Sequence, residues 1–177
     1  MDSAATALGV AAPKHQPGET EWIALNAHAS GVVALGARLR YAEEATRELA
    51  RQYVPTLSLL LGPLGAARLV VLAGGRERLA RMPSGSLQVL GASGAMAAHR
   101  RGAPPPKHSP VLFSLPQVSR SPRWVRGKIA RFLAGKASIA VRMDHFDGEP
   151  WDEERIAEIN QECENIRARF PKPPKRR

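Results

Sequence analysis

Residues 56–75, TLSLLLGPLGAARLVVLAGG, are almost wholly apolar and are interrupted midway by Gly62-Pro63. Proline removes a backbone donor and clashes with the turn before it, so one unbroken helix cannot pass Pro63. The run has the length of a membrane span. The Gly-Pro break, Arg68 and the lack of flanking topology signals point instead to two short helices buried in a folded domain. Gly74-Gly75 stops the second of them as a C-cap.

The remaining chain must supply helices to cover this pair. Glu21 to Tyr53 contains no proline and carries Trp22, Leu25, Val32, Leu35, Leu39, Ala42, Ala45 and Leu49 at spacings of three, four or seven. That pattern predicts a helix, or a helix pair divided near Ser30-Gly31. RERLARMPSGSLQVLGASGAMAAHRR supplies a short helix, a turn at Pro83 and a second helix ending at Arg100-Arg101. GAPPPKHSPVLF reads as a stiff loop, since successive prolines favour extended backbone. SPRWVRGKIARFLAGK opens a long helix near Pro122, with Ser121 as candidate N-cap, that runs to about Met143. After Gly148 and Pro150, Ile156, Ile159, Cys163, Ile166 and Phe170 advance by 3, 4, 3 and 4 along one apolar seam. No segment shows the alternation of a strand. The expected fold is all-α: a flexible arm over 1–20, a helical arm or shortened coiled coil over 21–53, a main domain over 54–170 and a basic tail over 171–177.

Charge is unevenly placed along this order. Residues 1–75 carry six bases and six acids, 76–142 thirteen bases and one acid, and 143–177 seven bases and nine acids. The middle segment therefore holds more than the entire net charge of +10. On a wheel of the long helix, Arg131, Gly135, Ser138 and Arg142 form a cationic stripe. Val125, Ile129, Phe132, Leu133 and Ala140 form the core side. Lys136 falls within the apolar arc and either snorkels or pairs with Asp144 or Glu77. Like charges three apart repel, so the stripe does not help the helix to form. Two compensations are open: carboxylates from residues 143–177, or a polyphosphate backbone that releases counterions from several cations at once.

Catalytic patterns are missing. There is no phosphate loop, HExxH, paired-carboxylate or nucleophile–base motif, and His15, His28, His99, His108 and His145 lack metal-ligand spacing. Cys163, the one cysteine, sits on the apolar seam and reads as packing, in keeping with a reducing compartment. The expectation is a non-enzyme without cofactor or metal. His108 follows Lys107 on the stiff loop, where a flat ring can stack on a base, dock on a protein or simply face solvent.

VPTLSLLLGPLGAARLVVLAGGRERLARMPSGSLQVLGA, PPPKHSPVLF, SPRWVRGKIARFLAGKASIAVRMDHFDGE and RFPKPPKRR occur in an order that resembles the Nop domain, the ribonucleoprotein-binding module of box C/D and splicing particles, and most of all its archaeal form. The resemblance covers about Val54 to Arg177. It implies recognition of a kink-turn RNA already carrying a small ribosomal-type kink-turn-binding protein. It also implies that Arg100, Arg101, Lys107 and His108 meet that junction, with Arg126, Lys128 and Arg131, and further Arg123 and Arg142, near phosphates. Two departures stand out: LGASG where the family has LGAEK-type residues, and Ser109-Pro110 after His108 where it has glycine. The family's long coiled coil and fibrillarin-binding domain are not recognisable, so dimerisation and fibrillarin recruitment are not expected to carry over. The implied setting is RNA modification, RNA processing or ribosome assembly, in prokaryotic and above all archaeal cytoplasm, or in the nucleolus or nucleus of a eukaryote. The alternatives are a protein-interaction or inhibitory paralogue, and a general basic RNA chaperone.

Overall fold

The computed structural model describes residues 17–174; most of the expected arm over 1–20 and the last three residues of the basic tail lie outside them. Among the described residues every regular element is a helix. The chain divides into two compact units, up to Ala42 and from Glu43 onward.

Helix α1 (Glu19–Tyr53) runs without a break through Ser30 and Gly31, where the sequence suggests an interruption. Glycine costs a helix about 1 kcal/mol relative to alanine but keeps its backbone N–H, so the hydrogen-bond ladder continues. Up to Ala42 almost every side chain of α1 is exposed, Trp22, Leu25, Val32 and Leu39 among them.

In the second unit α1 ends because Pro55 disfavours helical backbone at Val54, which has φ −142°. Helix α2 (Pro55–Leu61) starts with proline at its first position, and its N-terminus is capped from far along the chain. Asp144 accepts hydrogen bonds from Thr56 N and Leu57 N, each 2.9 Å, through its two carboxylate oxygens. A buried carboxylate thus meets two unsatisfied donors and the positive end of the helix dipole. Gly62 (φ 75°) then turns the chain into α3 (Pro63–Ala73), bent 116° from α2. No single described helix is long and apolar enough to cross a membrane. Leu57, Leu61, Ala66, Leu69 and Ala73 are buried, whereas Leu59, Val71 and Leu72 face solvent. The pair is therefore amphipathic rather than buried all round.

Gly74 closes α3 in the left-handed conformation (φ 81°), its N–H donating to Val70 and Val71 carbonyls. Helix α4 (Arg76–Arg81) follows, then α5 (Ser84–Gln88) and α6 (Ser93–Arg100). The sequence suggests one helix where α5 and α6 stand. Gly91 separates them at φ 82°, where a Cβ would lie 2.9 Å from Leu72 Cδ1. Two one-turn helices, α7 (Pro110–Phe113) and α8 (Pro116–Ser119), lead into the 23-residue α9 (Arg123–His145). Helix α10 (Glu153–Arg169), capped by Asp152 accepting from Arg155 N, ends the fold.

Helix α9 is the central element, packing against α2, α4, α5, α7, α8 and α10. Val125, Ile129, Ala130, Leu133, Ala134, Ala137, Ala140 and Val141 are buried along it, with Leu79, Leu87, Val118, Ile159 and Cys163 opposite. Two wheel assignments change as a result: Ser138 is buried and Phe132 is only partly so. Surrounded on several sides, α9 leaves only Arg123, Lys128, Arg131, Ile139 and Arg142 exposed.

Candidate nucleic-acid interface

The first half of α9 forms one wall of a groove of about 650 Å³ through Trp124, Gly127, Lys128 and Arg131. The proline-stiffened loop before α7 forms the second wall with Pro105, Pro106 and Lys107, and Ile166 and Phe170 close the end. Local contacts fix each wall. Gln88 Nε2 donates to Lys107 O at 2.6 Å and pins the loop. The Lys107 stem lies on Gly127: a Cβ added there would stand 3.2 Å from Lys107 Cβ, so glycine permits the approach. Trp124 Nε1 donates to Phe170 O at 2.9 Å, and Lys128 Nζ sits 4.0 Å from the centre of the Phe170 ring.

Beside the groove, His108 stacks on Phe113 with ring centres 4.9 Å apart and planes 16° from parallel. The Arg126 guanidinium covers the same ring at 5.4 Å. Arg126 also donates to Ser121 O (2.9 Å) and Ser119 O (3.0 Å), tying α9 to the end of α8. It is both a clamp within the fold and a cation without an ion-pair partner among the described residues.

Ser121 is not the cap of α9; Pro122 holds that position. The Ser121 hydroxyl donates to Gln117 O and accepts from Arg167, a contact with α10 that local pattern cannot reveal. Lys136 pairs with neither Asp144 nor Glu77. Asp144 caps α2, Glu77 pairs with Arg81, and the Lys136 amine lies 5.4 Å over the Phe132 ring. Glu162 shares a small hollow with Lys136. Its carboxyl is held below its ordinary value by the Asn165 hydrogen bond first, then by the charges of Arg169 and Lys136, with burial opposing.

Of the nine sequence candidates, Lys107, Lys128 and Arg131 line the groove, and His108 and Arg126 form the stack next to it. Arg123 is exposed at the start of α9, and Arg100 and Arg101 are exposed at the end of α6; none of the three lines the groove. Arg142 stands about 16 Å from Arg131 along the axis, at 1.5 Å per residue. It donates to Ala80 O, joining α9 to α4. Sequence reasoning missed Trp124, Phe113 and Gln88 and placed Phe170 on the packing seam; the available signal was aromatic residues interleaved with lysine and arginine.

The ion pairs bear on the two compensations. Among the described residues the ion pairs are Arg51–Glu48, Arg81–Glu77, Arg155–Glu158, Arg167–Glu164 and Arg169–Glu162. None involves Arg123, Arg126, Lys128, Arg131 or Arg142. The bases of α10 pair with acids of α10, and among the described residues the ridge on α9 has no carboxylate partner.

Residues 5–167 match the family model described as "Nop: snoRNA binding domain, fibrillarin". A NOP5 family protein of Methanocaldococcus jannaschii is 44% identical over 127 residues, covering 71% of this chain and 30% of that protein. Nucleolar protein 56 of Homo sapiens is 35% identical over 130 residues, covering 72% of this chain and 22% of its own length. The chain thus spans less than a third of the curated relatives it matches. Among solved structures, a chain of a fibrillarin/Nop5p complex superposes with TM-score 0.67 and 30% identity, over 86% of this chain and 56% of that one.

Proposed function

The chain belongs to the Nop family, and from that premise we propose that it is a non-catalytic ribonucleoprotein-binding module whose groove and α9 ridge receive a structured RNA of kink-turn type. The observation carrying this reading is the open ridge. Lys128 and Arg131 are exposed, face one groove with Lys107, and have no carboxylate partner among the described residues. Such a row is costly to hold together unless phosphates cover it and release their counterions. Trp124 and Phe170 add apolar faces to the same groove, the combination by which proteins stack unpaired bases beside a neutralised backbone.

A protein partner on the RNA fits a second surface. An apolar groove of about 530 Å³ runs between α3 and the Gly91 turn, lined by Leu64, Val71 and Leu72 with Arg68 at its side. Val71 is 78% exposed there, unusual for a valine unless another surface covers it. We assign this groove to the small kink-turn-binding protein and the α9 groove to RNA. Archaeal cytoplasm or a eukaryotic nucleolus is the setting that accords with this role. Fibrillarin recruitment is not part of the proposal.

Gel shifts with a kink-turn RNA, alone and loaded with its small protein, test the reading. The loaded RNA binds more tightly, and K128E/R131E reduces that binding by roughly 100-fold, about 1–3 kcal/mol per contact. The salt slope falls by about one for each phosphate contact removed. Unchanged binding by K128E/R131E refutes the groove. Equal affinity for any duplex points to a general chaperone, and indifference to RNA at moderate salt to a protein-only module.

A further inference from the structure

Where α9 hands over to α10, the charge of the chain reverses. From Asp147 to Glu158 it holds six acids and one base, Arg155, in a protein of net charge +10. Glu149, Asp152, Glu154 and Glu158 border a hollow of about 440 Å³ together with Trp151. Glu158 pairs with Arg155, and Asp152 caps α10. Among the described residues neither Glu149 nor Glu154 has an ion pair. A place in the first turn of α10 accounts for Glu154, which meets the positive end of the helix dipole. Glu149 lies before the cap, outside that turn.

A second hollow, of about 450 Å³, adjoins the first, and its lining is mostly apolar. Pro55 and Leu59 of α2 and Pro63 of α3 line it with Pro150 and Trp151, the two residues that both hollows share. Leu59 is 40% exposed there. A single exposed leucine is ordinary. One set among three prolines and a tryptophan in a concave site is the make-up of a protein-binding hot spot. Proline rings fix the backbone, so the hollow needs little ordering before it receives a ligand. Arg51, which also lines it, is already matched by Glu48 at 3.6 Å.

We propose that the two hollows about Trp151 are halves of one docking site for a lysine- and arginine-rich segment of another protein that carries an apolar side chain. The apolar residue seats against Leu59 and Trp151, and its basic neighbours meet Glu149 and Glu154. A lysine or arginine over the Trp151 face adds a cation–π contact. Charge selects the occupant, since unpaired carboxylates repel a phosphate backbone and attract a cationic peptide. Glu154 stands about 18 Å from Ile166 along α10, at 1.5 Å per residue, so the site leaves the α9 groove free. It shares no residue with the groove beside Val71 either, and it is independent of the RNA reading.

Fluorescence anisotropy of the full chain with a labelled nonapeptide, KKLRKLRKK, tests the site at roughly 0.1 M salt, where charges more than about 10 Å apart are screened. A chain of net charge +10 repels such a peptide unless a local site overrides the repulsion, so saturable binding is diagnostic. The natural chain is expected to bind. E149K/E154K weakens binding about tenfold or more, and L59Q, which changes no charge, weakens it by a similar factor through the apolar half. Both variants keep the helical circular dichroism of the natural chain. E43K/E44K makes the same change of net charge at exposed positions of α1 and leaves binding within about twofold. No binding by the natural chain overturns the proposal, as does an equal loss in E43K/E44K. Equally tight binding of the same peptide with glycine in place of both leucines overturns it too, because the apolar hollow would then have no part in the contact.

Discussion

Asp144 shows how one side chain can hold two distant elements. Removing it strands the N–H groups of Thr56 and Leu57 inside the core, where an unsatisfied donor costs more than the bond contributed. Asp144→Ala is expected to lower unfolding free energy by about 2–4 kcal/mol, and Asp144→Asn, which keeps one acceptor oxygen, by less. Urea denaturation measures both. Cys163 makes a different case. Burial, and less strongly the neighbouring Glu164, push its thiol from 9.0 up to about 11. The folded state thus favours the neutral thiol. Its contribution is fully present below pH 9 and is lost as pH rises from 9 toward 11. Comparison of Cys163→Ala with the natural chain by thermal melts from pH 8 to 11 isolates the effect. The natural chain loses more stability over that window, on the order of 2 kcal/mol, and equal losses refute the assignment.

Between elements, the closest functional approach is that of the proline loop to α9 at Gly127. The loop is held from one side by Gln88 and from the other by the absence of a side chain at residue 127. Valine there places a branched carbon against Lys107 Cβ, and a packed contact does not deform by that much without moving one partner. Gly127→Val is expected to detach the loop while the core persists. Trypsin should then cut after Lys107 at least about five-fold faster, the factor that 1 kcal/mol of lost local stability implies. An unchanged cutting rate would mean that the loop is held by Gln88 alone. The ridge on α9 belongs to the same scale, because its charge is a property of the helix rather than of any one lysine or arginine.

Across the molecule, the parts legible in the sequence were those written in local grammar. Pro55, Gly62-Pro63 and Gly74 delimit α2 and α3, and the 3, 4, 3, 4 seam places Ile159, Cys163 and Ile166 in the core. The cationic face of α9 was visible as a period. What escaped depends on encounters between distant residues. Ser121 looks like a cap until Arg167 takes its hydroxyl, and Phe170 looks like a core residue until Lys128 covers its ring. Gly31 suggests a break but penalises the helix too little to make one. Arg142 shares the charge pattern of Arg131 but is drawn to Ala80. Linear charge pattern identifies a basic helix; only the packing of the loop and α10 against it selects which cations share one groove.

The bond from Asp144 to the start of α2 joins residues 88 and 87 positions apart. A ribosome adding about 5–20 residues per second needs roughly 4–18 s to travel from Thr56 to Asp144. Throughout that interval the nascent α2 lacks its cap and the greasy α2–α3 bend lacks its central mate. The domain therefore closes only once Asp144 has emerged, and until then the growing chain is a natural client for chaperones.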